Sequence, residues 1–189
     1  MKNTIATFTL AASLLTIVGC GAVTDDPPSN GVDMQHPDEA FAKLAKLPSI
    51  DEAVQQYEQL GSQIRQELSQ EIPDLTAWKD SQDSVGGSGC FNEEDGEKRH
   101  LPDYVVQKGV TDQQYEQALQ IIGKMAKPIG FGDKPQRFHD SPGKHDSSFF
   151  NPRDNTTISF GTGKATVLQI SVGCHLTPEA KKRGHPSES

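Results

Sequence analysis

Residues 155–176 read NTTISFGTGKATVLQISVGCHL, and this stretch decides the fold. Polar and apolar residues alternate on both sides of the glycine-rich tetrapeptide Gly161–Lys164. The positions that share one side are Thr156, Ile158 and Phe160 in the first half, and Leu168, Ile170, Val172 and Cys174 in the second. Two alternating runs around such a turn predict a β-hairpin with one buried face.

Two stretches upstream of the hairpin have the three- and four-residue spacing of amphipathic helices. The first begins at Ser49, which with Glu52 has the spacing of a capping box, and it ends at Pro73. The second begins with a similar box at Thr111 and ends at Pro128. Their apolar positions are Ile50, Ala53, Val54, Tyr57, Leu60, Ile64 and Leu68, then Tyr115, Ala118, Leu119, Ile122, Met125 and Ala126.

Shorter strands are predicted at Leu75–Lys79, Tyr104–Gln107 and Phe149–Phe150. The order of helix, strands, helix, strands favours an α+β fold, in which two main helices pack on one face of an antiparallel sheet. We place this domain at residues 49–176. Six aromatic side chains are predicted to lie in its core: Trp78, Phe131, Phe138, Phe149, Phe150 and Phe160.

Residues 1–19 have the pattern of a bacterial export signal. Lys2 precedes an apolar run of about 14 residues, which is too short to span a bilayer as a helix. The run ends in Ile17-Val18-Gly19-Cys20, which is similar to the lipobox of bacterial lipoproteins. We therefore predict cleavage before Cys20, acyl chains such as palmitate on Cys20, and an anchor on the extracytoplasmic side of the cell membrane. The alternatives are a plain secreted protein and a cysteine buried in a core helix.

Two segments are expected to lie outside the folded core. Residues 20–48 are rich in Asp, Pro, Gly and Asn, which predicts a flexible tether, with one or two helical turns within Asp38–Leu47. Residues 177–189 contain one apolar residue, and we predict a disordered tail there.

The composition limits the classes of partner. The 189 residues include 18 Lys and Arg against 26 Asp and Glu, which gives a net charge of −8. That balance argues against a nucleic-acid-binding protein, which needs a basic surface to displace counterions from phosphates. With Cys20 assigned to lipid, Cys90 and Cys174 remain, and two such cysteines usually pair in an exported protein. We predict this disulfide; a redox-active or metal-binding pair is the alternative.

The motifs of common enzymes are incomplete in this sequence. After Gly163-Lys164 stands Ala165, where a phosphate-binding loop requires Ser or Thr. The stretch Gly86–Cys90 has a cysteine where the hydrolase GxSxG elbow has its last glycine. The acidic cluster at residues 93–97 is predicted to be a surface loop, without the apolar cleft that separates the pKa values of paired carboxylates. We therefore predict no catalytic residues.

Two His-Asp pairs are the candidate metal ligands. His139-Asp140 and His145-Asp146 flank Pro142-Gly143, and imidazole and carboxylate groups together can hold a divalent cation. A polar loop around Pro-Gly fixes no geometry, so a solvated loop is the prediction. We expect neither a metal nor a cofactor.

Taken in order, these features resemble the LppA-like lipoproteins of mycobacteria and related actinobacteria. The resemblance rests on the lipobox, the helix ending in Glu71-Ile72-Pro73, Trp78, the glycine-rich lead into Cys90, the helix from Thr111 and the strand into Gly173-Cys174. It covers roughly residues 50–176 and implies an envelope lipoprotein without established catalytic activity. It carries over Cys20 as the lipidation site and Cys90 with Cys174 as the bridge.

The expected function is that of a non-catalytic, membrane-anchored lipoprotein of the cell envelope. We expect a monomer that binds an envelope protein or a lipid ligand. The alternative is a carrier that shelters a lipid or glycolipid in an apolar groove between helices and sheet. An envelope enzyme is the third hypothesis.

Overall fold

Five helices and eight strands account for most of residues 37–188, the part of the chain that the computed structural model describes. The helices are α1 Pro37–Leu44, α2 Ile50–Glu71, α3 Asn92–Asp95, α4 Asp112–Ala126 and α5 Pro178–Arg183. The strands are β1 Lys79–Ser81, β2 Gly86–Phe91, β3 Gly96–His100, β4 Asp103–Val106, β5 Gln136–Ser141, β6 Lys144–Phe150, β7 Thr157–Thr162 and β8 Thr166–Leu176. Single turns of 3-10 helix lie at Gln82–Ser84 and Lys127–Ile129.

All eight strands belong to one antiparallel sheet, with β1-β4-β8-β7-β6-β5 as its order from edge to edge. β8 pairs with β7 along one side. Along its other side it pairs first with β4 and then, towards its C-terminus, with β3, which also pairs with β2. The predicted hairpin of residues 155–176 is therefore confirmed, and it forms the centre of the sheet.

α2 and α4 pack on one face of the sheet, which confirms the predicted α+β class. Both predicted capping boxes are present, at Ser49 and at Thr111, so each helix begins with two of its free N–H groups satisfied. The buried sides of the two helices share one apolar core with Ile158, Phe160 and Leu168 of the central hairpin. The sequence predicts these elements because a helix or strand that buries one face repeats its apolar residues with the period of that element.

The prediction for the six aromatic residues is confirmed in part. Phe131, Phe149 and Phe160 are buried, and Trp78 and Phe150 are half-buried. Phe138 is 57% exposed, so placing it in the core was wrong. It lies at a register shift in β5, the edge strand, where the pairing with β6 is interrupted. Residue type alone does not predict that Phe138 lies on an edge strand.

A register shift in β8 changes which residues share a face. β3 pairs Glu97 with His175 and Arg99 with Val172, so His175 lies on the same face as Val172, three residues earlier. Leu176 therefore lies on the opposite face from His175. Cys174 groups with Leu176 in a second, smaller apolar cluster, together with Phe41, Leu44, Phe91 and Ala180. The prediction that Cys174 continues the face of Val172 was wrong because it assumed an unbroken period.

Two segments predicted as loops have regular structure. Residues 139–146 form the end of a β5–β6 hairpin, and the acidic cluster is divided between α3 and β3. Gly86–Cys90, for which no strand is predicted, lies in β2. The strand predicted at Leu75–Lys79 begins only at Lys79, whereas those at Tyr104–Gln107 and Phe149–Phe150 are confirmed within β4 and β6. Strands near a sheet edge are polar on both sides, so they lack the alternation that predicts a strand.

The predicted disordered tail is instead an ordered helix, α5, up to Arg183. Thr177 caps it by accepting a hydrogen bond from the backbone N–H of Ala180, whose side chain is buried. Arg183 forms an ion pair with the fully buried Asp95, and the N–H of Ser187 donates to the same carboxylate at 2.7 Å. The tail folds back because a buried carboxylate is costly without donors, and these groups provide them.

The helical turns predicted within Asp38–Leu47 are confirmed by α1. Phe41 and Leu44 of α1 are buried in the smaller apolar cluster, so the folded unit includes α1 and is not limited to residues from Ser49 onward. The predicted signal peptide, Cys20 and the first part of the tether lie outside the described residues. Within residues 37–188 no helix combines the length and the apolar character that a membrane span requires.

Candidate functional site

The predicted disulfide joins Cys90 of β2 to Cys174 of β8. The two Cα atoms are 5.8 Å apart and the sequence separation is 84 residues. The bridge lies beside the smaller apolar cluster, next to Phe91 and Leu176. Because both sulfurs are bonded to each other, neither is a free thiolate for a metal or for redox exchange in this state. The bridge therefore has a structural role: it links β2 to β8 at this end of the sheet.

A buried polar network lies between α2 and the turn before β7. The hydroxyl of Tyr57 donates to Oδ2 of Asp154 at 2.6 Å, and Nδ2 of Asn151 donates to the same hydroxyl at 3.1 Å. Nε2 of His175 faces that Asp154 oxygen at 3.3 Å, outside hydrogen-bond angles, while its Nδ1 lies 3.0 Å from the carbonyl oxygen of Pro48. This network links α2, β8 and the β6–β7 turn below the surface.

The electrostatics of this network favour an ionised carboxylate. Burial alone raises the pKa of Asp154, but His175, Tyr57 and the N–H of Thr156 stabilise the charged form and hold the pKa below its usual value. Burial, together with the Asp154 carboxylate, raises the pKa of Tyr57. The tyrosine therefore remains a hydrogen-bond donor at physiological pH.

His145, one of the candidate metal ligands, lies between two carboxylates. Its Nδ1 is 2.6 Å from Oδ1 of Asp140 and its Nε2 is 2.9 Å from Oδ1 of Asp112, the first residue of α4. Carboxylates only accept, so both ring nitrogens donate and the geometry fits the charged imidazolium. The ring also stacks on Tyr115, with centroids 4.6 Å apart. This arrangement fastens the β5–β6 hairpin to the start of α4.

The pKa values of this cluster move in opposite directions. The hydrogen bond to Asp112 raises the pKa of His145, partial burial opposes this, and Asp140 adds to the rise. The hydrogen bonds from His145 and from the N–H of Gly143 lower the pKa of Asp112. His139 and Asp146 lie elsewhere on the hairpin and do not join the cluster. Within residues 37–188 no group of three or more His, Cys, Asp or Glu side chains is arranged to hold a metal ion.

Four of the grooves on the surface of residues 37–188 have the size of a small ligand site. Their volumes are about 320, 380, 400 and 510 Å³. The largest of these four lies between α2 and α4 and is lined mainly by polar and charged side chains, including Glu67 and Lys124. None of the four is lined by His145 or His175.

The groove of about 380 Å³, called here the Phe150 groove, lies on the face of the sheet opposite α2 and α4. Its wall includes Lys134, Gln136, Ser148, Phe150, Pro152 and Asn155. β5 and β6 provide three of these residues, and the segments before β5 and after β6 provide the others. Phe150 is half-buried, whereas Gln136 and Asn155 are exposed.

A row of polar side chains crosses the sheet from this groove to the opposite edge. The row contains Gln136 of β5, Ser148 of β6, Ser159 of β7, Gln169 of β8, Asp103 of β4 and Ser81 of β1. Strand pairing sets the first four positions side by side, and it likewise pairs Asp103 with Ser81. Two contacts join the row: the hydroxyls of Ser148 and Ser159 are 2.6 Å apart, and Nε2 of Gln169 donates to Asp103 at 2.9 Å.

Sequence reasoning did not predict this surface as a site. Phe150 is predicted to lie in the core, Asn155 is predicted only as the start of the hairpin, and Gln136 has no predicted role. Only Ser159 and Gln169 could be placed on this face from the sequence. The alternation in the predicted hairpin puts these two residues on the side opposite the core. The other members depend on the register of strands that the sequence did not reveal.

The fold and the sequence can be compared with known proteins. The LppA family, described as a lipoprotein confined to pathogenic Mycobacterium, matches residues 25–178. The crystal structure of LppA from Mycobacterium tuberculosis is similar to this chain with a TM-score of 0.65 and 13% sequence identity. The likeness covers 78% of this chain and 89% of that one, and at this identity it shows the fold alone. No curated protein matches the sequence.

The resemblance seen in the order of motifs is thus confirmed by a match that extends over most of the chain. The match includes the two long helices, the sheet and both bridge cysteines. This chain belongs to the LppA family of lipoproteins.

Proposed function

We propose that the protein is a non-catalytic lipoprotein, anchored in the cell membrane through Cys20, with its domain on the extracytoplasmic side. The domain binds a ligand on the face of the sheet opposite α2 and α4, called here the open face. Membership of a lipoprotein family supports the anchor. The observation that carries the non-catalytic part is that both histidine clusters lie apart from the grooves, while two carboxylates that do line a groove, Glu116 and Asp133, are held in ion pairs. His145 and His175 bond inside the fold, and neither lines any of the four grooves described above.

A catalytic site needs a titratable group within reach of a bound substrate. His145 has carboxylates on both nitrogens, so it has no free lone pair with which to accept a proton. His175 is 1% exposed and lies beneath α2. These side chains stabilise the fold instead, and the proposal assigns function to the groove and the polar row.

The anchor is tested by metabolic labelling of the full chain with an alkyne analogue of palmitate. Wild-type protein should be labelled and should partition with the membrane fraction, whereas Cys20→Ala should lose both properties. Ser29→Ala, in the same segment, is the matched control and should behave like wild type. Equal labelling of wild type and Cys20→Ala would refute the anchor.

The non-catalytic part is tested on the purified lipoprotein with ester, peptide and glycoside substrates. We expect no turnover above background. Turnover that is abolished by His175→Gln or by His145→Gln, in variants that retain the wild-type circular dichroism spectrum, would overturn the proposal.

A lipid or glycolipid carrier is the second candidate, because Phe150 and Pro152 give the Phe150 groove an apolar wall. We place it second because Lys134, Gln136 and Asn155 share that wall. Native mass spectrometry of the protein purified from its host should release a bound lipid if the carrier hypothesis is correct. An unloaded mass after gentle detergent removal contradicts it.

A further inference from the structure

We infer that the ligand of this open face is a neutral glycan chain, with one sugar ring stacked on Phe150 and neighbouring sugars lying along the polar row. The inference rests on the proposed function and deepens it, since it names the ligand class of the same surface. Four features of that surface carry it: an aromatic wall, unpartnered amide groups, little charge and the spacing of the row.

The aromatic wall is the first feature. Phe150 lines the groove and is half-buried, so its ring is held in place while part of it remains accessible. The face of an aromatic ring carries partial negative charge, and the C–H bonds of a sugar ring carry partial positive charge, so the two stack. Pro152 beside it adds apolar surface without adding a donor.

The second feature is that three polar side chains of the groove lack partners. The side chains of Lys134, Gln136 and Asn155 form no hydrogen bond or ion pair with any residue among 37–188, whereas the side chains of Ser148, Ser159 and Gln169 do. A side-chain amide both donates and accepts hydrogen bonds, as a sugar hydroxyl does. Each amide can therefore either donate to a sugar hydroxyl or accept from one. Asn155 has a φ of 62°, a left-handed conformation, which its N–H maintains by donating to the Asn151 carbonyl oxygen at 2.8 Å.

The third feature is the near absence of charge. Lys134 is the one charged side chain in the wall of the Phe150 groove, and Asp103 is the one charged member of the polar row. A phosphate polymer would need several cations along its path, and the net charge of −8 opposes it further. An acyl chain would bury the amides of Gln136 and Asn155 without partners, at a cost in desolvation. A neutral polyhydroxylated chain fits both observations.

The fourth feature is the spacing of the polar row. Adjacent strands in a sheet lie about 4.8 Å apart, so the row presents one polar side chain at each such step. That step is close to the length of one pyranose unit in an extended glycan. A chain lying across the strands would therefore meet Ser148, Ser159 and Gln169 in succession, after the sugar on Phe150.

The test is a binding titration of the full-length lipoprotein, purified in detergent micelles, by isothermal calorimetry. The probes are cellohexaose, chitohexaose, maltohexaose and mannohexaose, with an acidic hexapeptide and a single-chain phospholipid as the other ligand classes. We expect at least one hexasaccharide to bind, and neither the peptide nor the phospholipid to compete with it.

The variants locate the binding. Phe150→Ala should weaken it by at least about fivefold because stacking is lost, and Phe150→Trp, which keeps a ring, should restore it. Gln136→Ala should weaken it about threefold or more, as expected for one lost hydrogen bond. Gln113→Ala, an exposed amide on α4, and Val85→Ala, an exposed apolar residue at the other edge, are matched controls and should bind like wild type.

Three results would overturn the inference: no hexasaccharide binds, binding is unchanged in both Phe150→Ala and Gln136→Ala, or the peptide or the phospholipid competes with the hexasaccharide. In the last case the competing class of ligand is the better candidate for this surface. Variants that lose the wild-type circular dichroism spectrum are replaced by Asn155→Ala, on an exposed turn. If Cys20 is labelled and no glycan binds, the glycan inference fails alone; if Cys20 is not labelled, the anchored lipoprotein itself is rejected.

Discussion

Replacing both bridge cysteines, Cys90→Ala with Cys174→Ala, tests how much of the stability of this domain the disulfide provides. The bridge closes a loop of 84 residues. In the chain-entropy model, a loop of this length restricts the unfolded chain enough to stabilise the native state by about 4–5 kcal/mol. Domains of this size unfold with about 5–15 kcal/mol in total, so the bridge contributes a large share.

The local effect should fall on the smaller apolar cluster. Cys174 is 3% exposed and packs there with Phe41 of α1 and Ala180 of α5. α1 and α5 pack against β2 and β8, which the bridge links covalently. Without the bridge, this link between the two strands is lost. Amide hydrogen exchange should therefore speed up first in α1 and α5, before the large core around α2 and α4 is affected.

The assay is urea unfolding followed by the fluorescence of Trp78, the one tryptophan of the chain. Three samples are compared: oxidised wild type, wild type in reductant, and the double variant. The last two should unfold at a lower urea concentration and with a steeper dependence on urea, because the unlinked chain exposes more surface. Ser88→Ala, in the same strand as Cys90 and with the bridge intact, is the control and should unfold like wild type.

A loss below about 2 kcal/mol in both the double variant and reduced wild type would refute the reasoning from loop entropy. A large loss in the variant alone would instead assign the cost to side-chain packing around Cys174. The expected outcome is agreement between the variant and reduced wild type.

Three further predictions concern the sheet and its polar networks. Gly173→Ala should destabilise the domain by more than about 3 kcal/mol, because a Cβ there would lie 1.6 Å from the carbonyl oxygen of Asp154. Tyr57→Phe should cost about 1.5–3 kcal/mol, since the buried carboxylate of Asp154 loses its 2.6 Å donor. His145→Gln should lower the melting temperature by about 2–4 °C at pH 5.5, and by less at pH 8, because the charged clamp is lost.

The pH dependence of the last prediction follows from the direction of two pKa shifts. The raised pKa of His145 gives a stabilisation that is complete below 6.5 and is lost as pH rises through the raised value. The lowered pKa of Asp112 gives one that is present above 3.8 and is lost as pH falls through the lowered value. The clamp is therefore strongest between these limits. His139→Gln is the control, and equal melting curves of His145→Gln and wild type at pH 5.5 would contradict the prediction.

Thermal and urea unfolding of matched pairs check the other two. Gly163→Ala, where an added Cβ meets nothing within 4 Å, should unfold close to wild type. If Gly173→Ala were equally stable, the close approach of Asp154 would not constrain that position. If Tyr57→Phe were as stable as wild type, the hydroxyl would contribute no net free energy.

Much of the fold could be predicted from local patterns. The capping boxes at Ser49 and Thr111 and the apolar spacing behind them specify two helices, because caps and periodicity act within a few residues of the chain. The alternation in residues 155–176 specifies the central hairpin for the same reason. The pairing of Cys90 with Cys174 was predicted from an exported context and two remaining thiols, and it needed no geometry.

The strands away from the centre could not be predicted in this way. β2 and β5 lie at the borders of the sheet, and their side chains do not alternate between a core and solvent. The pairing partner creates such a strand, and the sequence of the strand itself contains little of that information. For this reason the His139–Asp146 region was expected to be a loop, although it is the end of the β5–β6 hairpin.

The sequence by itself determined the export signal pattern, the two long helices, the central hairpin and the disulfide, since each depends on local spacing or residue type. The tertiary structure alone decided three other features. It placed Asp112 beside His145, it folded the tail onto the buried Asp95, and it aligned Gln136 with Ser159 and Gln169 across the open face. These contacts join residues that are distant in the chain, and strand register and burial, which are properties of the whole fold, bring them together.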